Sequence, residues 1–233
     1  HQESEHMFTV HSANTQVQAL RLAKTFNKRL SEGDIKVPHI DFLAPHYYEC
    51  WEGMGMARYI LAEKRLDNTQ YRKFNDNKGG VNALNKPAAG AEIGEGLALK
   101  DAAIDVIEEE SEDDDCYASD EERPKQPATK EEKSRIIDED VPQAFSHWTF
   151  TYTQGNYLVC DLQGVLGTSF HLTDPAIHSW TSRSTHFGDT DRGREGMKAF
   201  FRTHVCNPLC KALRLKEGMR VRRGDTWRVV SLE

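Results

Sequence analysis

Residues 157–164 read YLVCDLQG, and this stretch decides the fold that the rest of the chain supports. A short apolar run leads into Asp161, a pattern typical of a buried strand that ends in a turn. The same region then carries LTDP at 172–175, a glycine-bearing loop at 187–196 and HVCNPLC at 204–210. Two acids at strand or turn ends, a glycine loop and a His/Cys cluster within about fifty residues predict a functional site and not merely a core.

The composition predicts a folded part interrupted by a very acidic one. Of 233 residues, 38% are hydrophobic and 29% are charged, and the net charge is −7. Residues 82–140 hold 19 acidic and 7 basic side chains, a net charge of −12, which leaves +5 for the remainder. Because self-repulsion and scarce apolar residues oppose folding, we expect 82–140 to be a disordered linker or insertion. The mildly basic remainder suits an anionic ligand.

The cysteines favour metal binding over disulfides. Their number is odd, five, and no secretory leader precedes them, which argues against a disulfide framework. Cys206 and Cys210 also lie beside His204. No apolar run approaches membrane-spanning length, so we expect a soluble, cytoplasmic protein without a membrane partner.

The spacing of apolar residues predicts a mixture of helices and strands. We expect residues 1–11 to be loose and Gly33 to end the first helix. The predicted elements are helices over 15–30, from Pro142 to 150 and over 196–206, strands over 37–43, 47–51, 57–61 and 157–160, and a hairpin or tail over 221–232.

The spacing His204-x-Cys206-x3-Cys210 supplies three ligands for a metal ion such as zinc. A closed structural zinc site needs four, and such a site leaves no open position for chemistry. The candidates for the fourth ligand are His147, His171, His178, His186 and Cys160.

Asp161 and Gln163 are candidates for a magnesium site. An acid at a strand end, with an amide two residues later, can present two oxygens to one cation, and Mg²⁺ prefers such ligands. In the alternative interpretation, Asp161 only caps main-chain amides of the turn.

Two further features have ordinary structural explanations. Asp174 before Pro175 is typical of a helix start, with Asp at the N-cap and Pro in the first turn. The loop at 188–196 has glycines before a helix, where main-chain amides can meet phosphate or peptide, but it also carries acids.

Taken together, these motifs resemble the alpha-kinase family of atypical protein kinases. The motifs that carry the resemblance are QAFSH at 143–147, DLQG at 161–164, TDPAIH at 173–178, FGD at 187–189, Gly193, GM at 196–197, FF at 200–201 and HVCNPLC at 204–210. A weaker likeness covers the first helix, the three early strands, Glu63 and KFNDN at 73–77, and the acidic segment has no counterpart.

The resemblance implies an α+β, two-lobed, protein-kinase-like alpha-kinase fold with ATP between the lobes. It implies transfer of the ATP γ-phosphate to Ser or Thr hydroxyls of a protein substrate. Asp161 and Gln163 would hold Mg²⁺, and Asp174 would be the catalytic acid near the γ-phosphate. Glu63 would lie at the hinge that meets adenine.

The resemblance also assigns the metal ligands and the glycine loop. It implies structural zinc on His147, His204, Cys206 and Cys210, which supplies the fourth ligand. The loop glycines Gly188, Gly193 and Gly196 would place the peptide substrate and not the nucleotide.

The resemblance divides the chain into four segments. They are a partial N-lobe and hinge (1–81), the acidic insertion (82–140), a zinc-stabilised C-lobe with the catalytic motifs (141–213) and a C-terminal tail (214–233). The N-lobe is expected to be truncated, because the family's ATP-contacting lysine lies on strands ahead of the first helix. An inactive pseudokinase or fragment that acts as a zinc-stabilised interaction module is the alternative function. A nucleic-acid binder is disfavoured because the His/Cys cluster lacks adjoining basic and aromatic runs.

Overall fold

The computed structural model describes residues 2–52, 56–80, 135–181, 187–224 and 226–232. Most of the predicted acidic insertion, residues 82–134, lies outside these ranges. The helices are α1 (Gln2–Glu32), α2 (Asp140–Tyr152), α3 (Gly193–Thr203) and α4 (Pro208–Ala212). The strands are β1 (Ile40–Phe42), β2 (His46–Glu52), β3 (Met56–Ala62), β4 (Arg72–Lys73), β5 (Tyr157–Cys160), β6 (Gln163–Leu166), β7 (Phe170–Thr173), β8 (Ala176–Ser179), β9 (Arg220–Arg223) and β10 (Thr226–Val229).

Helix α1 is longer than the sequence predicts. Its C-terminal half follows the predicted spacing, with Leu22, Phe26 and Leu30 buried in the core. The expectation of a loose segment at 1–11 is wrong, since the helix begins at Gln2. The polar first turns rest on the β2–β3 hairpin, where the His6 and Tyr59 rings lie 4.4 Å apart, centroid to centroid. A tertiary contact thus extends a helix beyond its apolar pattern.

The central sheet has four strands in the order β1-β7-β6-β4. Strand β1 runs parallel to β7, and β6 is antiparallel to both β7 and β4. The predicted strand over 37–43 is shorter than expected, because its paired part is Ile40–Phe42. At Gly164 a Cβ atom would lie 2.1 Å from the His171 carbonyl oxygen, so β6 needs glycine to approach β7.

Helices α1 and α2 enclose the core with aromatic side chains. The Phe26 ring meets the rings of Phe145 and Trp148 edge-on, each at 5.3 Å between centroids. The prediction of a helix from Pro142 is confirmed, and ten consecutive residues of α2 are buried. A helix buried on this scale packs against the strands that follow it.

Three two-stranded sheets complete the fold. Strand β5 pairs antiparallel with β8, β2 with β3, and β9 with β10. The predicted strand at 157–160 is confirmed, and residues 220–229 form a hairpin. The predicted helix at 196–206 is confirmed as α3, shifted three residues towards the N-terminus. No helix in the described ranges is both long enough and apolar enough to cross a membrane.

Candidate functional site

Asp161 and Asp174 occupy two tight turns of unusual backbone conformation. Asp161 joins β5 to β6 with a φ of 58°, and Asp174 joins β7 to β8 with a φ of 44°. Non-glycine residues adopt this left-handed conformation rarely, and Asp and Asn tolerate it best. Because β5 pairs with β8 and β6 with β7, the two turns lie at the same edge of the fold.

The predicted helix start at Asp174 is wrong. Strand β8 follows at Ala176–Ser179, and all four of its residues are buried. Pairing with β5 therefore overrides the local Asp-Pro signal, which described only the turn residues.

Lys73 and Gln163 link the two acids. Lys73 Nζ lies 2.6 Å from Asp161 Oδ1 in an ion pair without hydrogen-bond geometry. Gln163 Nε2 donates to the Asp174 carbonyl oxygen at 3.2 Å. The Gln163 amide nitrogen thus holds the Asp174 turn, and its oxygen remains as a possible ligand.

The Glu63 carboxylate accepts hydrogen bonds from α1 and from the end of β7. Gln16 Nε2, from α1, donates to Glu63 Oε1, and the Thr173 hydroxyl donates to Glu63 Oε2. Gln16 also donates to the Leu43 carbonyl oxygen at 2.7 Å and accepts from Asp174 N at 3.3 Å. The Glu63 side chain therefore connects α1 to the end of β7, next to Asp174.

Burial, and after it the negative charge of the site, raises the pKa values of Asp174 and Tyr71. Burial, followed by the negative charge of Asp161, raises the pKa of Asp174, and Lys73 offsets part of this. Burial raises the pKa of Tyr71 to about 12, with further contributions from Asp174, Asp161 and Glu63. The site thus holds more negative charge than Lys73 balances and is suited to a cation.

A cleft of about 170 Å³ opens beside the two acids. Its wall on one side is the N-terminal half of α1, including Phe8, His11 and Thr15, and on the other the loop from Phe187 to Thr190. Asp161 and Asp174 both line it. The cleft is therefore a place where a polar ligand can meet both carboxylates.

Residues 75–80, which follow β4, include a hydrogen bond to the turn after Asp161. Asn75 is fully buried, accepts from Leu162 N at 2.9 Å and donates to the Ser146 hydroxyl at 3.0 Å. Asp76 Oδ1 accepts from the main-chain amides of Lys78 and Gly80 at 2.7 and 2.8 Å. The two Asn75 bonds connect the turn after Asp161 to α2, and the Asp76 bonds fix residues 76–80.

Asp191 in the glycine loop joins the start of α3 to the end of β8. Asp191 accepts from Ser179 N at 2.9 Å, from Gly193 N at 2.8 Å and from the Ser179 hydroxyl at 2.5 Å. Gly188 begins the loop in a left-handed conformation, with a φ of 72°. A Cβ atom at Gly196 would come within 2.4 Å of the His178 ring, so this helix and β8 pack unusually closely.

His178 joins this loop to the segment after β4. Its Nδ1 accepts from Arg192 N at 3.1 Å, which leaves Nε2 to donate to the Asn77 carbonyl oxygen at 2.9 Å. Burial lowers the pKa of His178, which keeps this ring neutral.

Four potential metal ligands meet: His147 from the middle of α2, His204 and Cys206 from the segment between α3 and α4, and Cys210 from α4. The ligand atoms of His147, His204, Cys206 and Cys210 all lie within 4.8 Å of one another. His204 Nε2 is 3.0 Å from His147 Nδ1 and 3.7 Å from each of the two thiol sulfurs. Tetrahedral zinc bonds require ligand separations of about 3.3–3.8 Å, so these positions are close to a zinc geometry.

The protonation of this cluster also suits a metal ion. Burial lowers the pKa of His147 to about 3 and that of His204 to about 4, so both imidazoles are neutral donors. Burial raises the pKa of the Cys210 thiol to about 12, and a thiolate there needs a neighbouring cation. His147 hydrogen-bonds to the Lys216 main chain, an orienting contact typical of metal-bound histidine.

Of the other fourth-ligand candidates, His171, His178 and Cys160 do not join this group, and His186 lies outside the described residues. His147 lies on α2, 57 residues before His204, and no local spacing pattern points to it.

The chain combines a mixed fold of helices and strands with an acidic cleft and a separate His/Cys cluster. The family model of the alpha-kinase family matches residues 1–92 and 117–210, and the chain therefore belongs to that family. The prediction of an alpha-kinase fold is confirmed.

Several curated relatives resemble part of the chain. Eukaryotic elongation factor 2 kinase of Mus musculus is 46% identical over 75 residues, which are 32% of this chain and 10% of the relative. Alpha-protein kinase vwkA of Dictyostelium discoideum is 42% identical over 77 residues, 33% and 12% of the two chains. Transient receptor potential cation channel subfamily M member 6 of Mus musculus is 42% identical over 82 residues, 34% and 4% of the two chains.

The alpha-kinase domain of myosin-II heavy chain kinase A, solved in complex with AMP-PNP, has the same fold. Its TM-score is 0.56 at 21% identity, covering 90% of this chain and 57% of that one. The chain thus spans little more than half of that domain and about a tenth or less of the curated relatives.

Sequence reasoning missed several residues of the site. No role was predicted for Lys73, although KFNDN at 73–77 was part of the resemblance. Gln16 and Tyr71 carry no recognisable signal, because each acts through a long-range contact with Glu63 or with the two acids.

Proposed function

We propose that this chain is the core of an ATP-dependent Ser/Thr protein kinase of the alpha type, which transfers the ATP γ-phosphate to protein hydroxyls. The observation that carries this proposal is the convergence of Asp161 and Asp174 on one cleft, with Lys73 beside them. Family membership, together with the AMP-PNP complex of the similar myosin-II heavy chain kinase A domain, supports ATP as the phosphoryl donor.

Asp161 and Gln163 would hold Mg²⁺. Carboxylate and amide oxygens are the ligands that Mg²⁺ prefers, and the excess negative charge beside Asp161 fits a cation. When bound, Mg²⁺ would neutralise charge on the phosphoryl group that is transferred.

Asp174 would act on the substrate hydroxyl. Its carboxylate lines the cleft, and it would orient the Ser or Thr oxygen and accept its proton during transfer. Gln163 and Gln16 would position Asp174, since both bond to its main chain.

Glu63 would position the adenine hinge through its main chain. Both of its carboxylate oxygens already accept hydrogen bonds, from Gln16 and Thr173. The side chain would therefore fix the hinge against the Asp174 turn, and the main chain around Glu63 would meet adenine.

Zinc would be structural, held by the cluster of His147, His204, Cys206 and Cys210. Neutral imidazoles and thiols at these separations fit a closed four-ligand site. The ion would contribute folding free energy and would take no part in transfer.

The loop with Gly188, Gly193 and Gly196 would place the peptide substrate. Gly193 N is already bonded to Asp191, and Gly196 N bonds to the Arg192 carbonyl oxygen. Neither amide is available to phosphate, which supports a peptide role over a nucleotide role.

The test is transfer of labelled phosphate from ATP and Mg²⁺ to a basic acceptor such as myelin basic protein. We expect transfer by the full-length protein and at least an approximately 100-fold loss in Asp174→Asn, which tolerates the left-handed turn, at unchanged zinc content and melting temperature. Transfer no greater than in Asp174→Asn, with zinc bound stoichiometrically, would contradict the proposal.

A non-catalytic, zinc-stabilised interaction module is the second candidate. The close approach of Lys73 Nζ to Asp161 Oδ1 favours it, because the ammonium group can occupy the place of a cation. Under this alternative, nucleotide binding would not depend on Mg²⁺, and the acceptor would stay unlabelled.

A further inference from the structure

A basic cleft lies at the C-terminal end of α2, away from the acids of the proposed active site. It has a volume of about 220 Å³ and is bounded by the end of α2, the chain after α4 and the β9–β10 hairpin. We call it the hairpin cleft, and its lining residues are Thr151, Arg214, Lys216, Gly218, Arg220 and Trp227.

The hairpin cleft carries uncompensated positive charge. Residues 211–232 contain seven basic and two acidic side chains. Within the described part of the chain, Arg214, Lys216 and Arg220 form no ion pair with a carboxylate. Arg220 Nε donates to the Glu217 carbonyl oxygen at 3.1 Å. No carboxylate of the described residues therefore pairs with these three cations, and the cleft can bind an anionic partner.

The main chain that carries these cations is fixed. Leu215 N donates to the Cys210 carbonyl oxygen at 2.9 Å, and His147 bonds to the Lys216 main chain. Met219 and Val221 are buried in a core cluster with Phe150. The cations thus project from a rigid frame, which lowers the entropy that binding would cost.

The aromatic wall adds a second type of contact. Trp227 is 45% exposed on β10, opposite Arg222 in the hairpin register. An indole next to basic groups packs against the aliphatic parts of a bound peptide while the cations meet its carboxylates. This combination fits a polypeptide better than a free inorganic anion.

The same chain contains a segment of matching chemistry. Residues 105–115 read DVIEEESEDDD, with eight acids and no basic residue. Both this acidic segment and the hairpin lie outside the family match, which covers 1–92 and 117–210. Two features beyond the family match thus carry opposite charges.

The chain length allows the two to meet. Residues 116–139 separate the acidic segment from α2 and can span at most about 80 Å. Helix α2, with 13 residues, is about 20 Å long, and Thr151 at its end lines the cleft. Tethering in one chain also raises the local concentration of the acidic segment, to about millimolar for short flexible linkers.

We propose that the hairpin cleft binds the acidic segment at 105–115 of the same chain. The partners of Arg214, Lys216 and Arg220 are the carboxylates of that segment. This inference does not depend on kinase activity, so its test and that of the proposed function are separate.

Zero-length carbodiimide coupling of the full chain tests the contact, because it joins a lysine only to a carboxylate that touches it. Lys216 is the lysine of the cleft, and exposed Lys36 is a reference outside it. By peptide mass spectrometry we expect coupling of Lys216 to 105–115 at least about fivefold above coupling of Lys36 to that segment. The excess should fall severalfold when NaCl is raised from about 50 mM to about 500 mM.

A charge-reversed variant and an isotope mixture complete the test. In Arg214→Glu/Arg220→Glu, coupling of Lys216 should drop to the level of Lys36, with zinc content unchanged. In an equal mixture of ¹⁴N- and ¹⁵N-labelled chains, the coupled peptides should carry a single isotope.

Three results would overturn the proposal. They are coupling at Lys216 no higher than at Lys36, coupling of Lys216 mainly to acids outside 105–115, and mixed-isotope products, which would make the occupant a second copy. The salt series uses the unaltered chain, so the contact remains testable even if the double variant fails to fold.

Discussion

The His/Cys cluster and the acidic cleft are both groups of polar side chains, but their physical designs are opposite. In the cluster, four donors from α2, α4 and the segment between α3 and α4 converge within 4.8 Å, and burial keeps the imidazoles neutral. In the cleft, Asp161 pairs with Lys73, and both Asp161 and Asp174 lie on left-handed turns. The cluster is arranged to stabilise the fold once an ion is bound, whereas the cleft retains repulsion that a ligand would relieve.

The two regions should therefore respond differently to substitution. Loss of a ligand in the cluster should reduce stability, and any effect on transfer should follow from unfolding. Loss of a carboxylate in the cleft should reduce transfer and leave the fold intact. Four predictions test this contrast, beginning with the largest effect.

Replacing Cys210 by Ser should remove the zinc site. A serine hydroxyl is a poor zinc ligand, and we expect zinc content to fall from about one ion per chain to near zero. The free energy of unfolding should fall by about 5 kcal/mol or more, enough to unfold the region around α3 and α4. Metal analysis and thermal unfolding measure both effects. Cys50→Ser is the matched control, because Cys50 is exposed on β2; equal melting temperatures for both variants would contradict a structural zinc site.

Replacing Asp161 by Asn should reduce transfer and not stability. The amide keeps the shape and tolerates the left-handed turn, but it removes the charge proposed to hold Mg²⁺. We expect transfer to fall at least about 100-fold while the melting temperature stays within about 3 °C. Asp41→Asn, which removes an exposed acid from β1, should transfer phosphate at the original rate. A large drop in melting temperature for Asp161→Asn alone would show that the cleft is also a stability element.

Replacing Gly196 by Ala should cost stability at the junction between the two regions. The new Cβ would lie 2.4 Å from the His178 ring, which is fixed by Arg192 N and the Asn77 carbonyl. We expect a loss of about 1–3 kcal/mol from overpacking, which outweighs the gain in helix propensity. Urea unfolding measures it, with Gly167→Ala as control, since a Cβ there meets nothing within 4 Å. If the two variants are equally stable, the close packing of α3 on β8 is not rigid.

The smallest expected effect is the pH dependence of Asp174. Its pKa in the folded state is raised above 3.8, so the folded chain holds this proton to higher pH than the unfolded chain does. Stability is therefore lost as pH rises from 3.8 through the raised pKa, and Asp174→Asn escapes that loss. We expect the variant to gain less than about 1 kcal/mol above this window and nothing below it, because solvent screens the carboxylate. Urea unfolding of both proteins across pH checks the difference, and a variant that is less stable at neutral pH would reverse the sign.

The local elements around the site could be predicted from their patterns. The apolar run at 157–160 and the apolar spacing in α2 predict a strand and a helix, because the signal for each lies in residues that are close in sequence. The candidate site residues Asp161 and Gln163 could be predicted for the same reason, because they directly follow such a strand.

Long-range pairing accounts for what the sequence could not predict. The Asp174-Pro175 pair has a local helix signal, and only pairing of β8 with β5 makes it a turn into a strand. The bonds of Glu63 to Gln16 and Thr173 join residues 47 and 110 positions apart. His147 entered the ligand set through the family resemblance, because it stands 57 residues from His204. Such contacts depend on packing that no window of sequence contains.

The left-handed turns at Asp161 and Asp174 limit which inactive descendants of this domain can arise easily. Alanine or a β-branched residue would add backbone strain of order 1–3 kcal/mol at either turn, whereas asparagine or glycine would not. A lineage that abandons phosphoryl transfer but keeps the fold should thus accumulate asparagine or glycine at these two positions first. In a set of relatives, asparagine or glycine at these positions would then indicate loss of catalysis with the fold kept, and alanine or a β-branched residue would indicate a loss of stability as well.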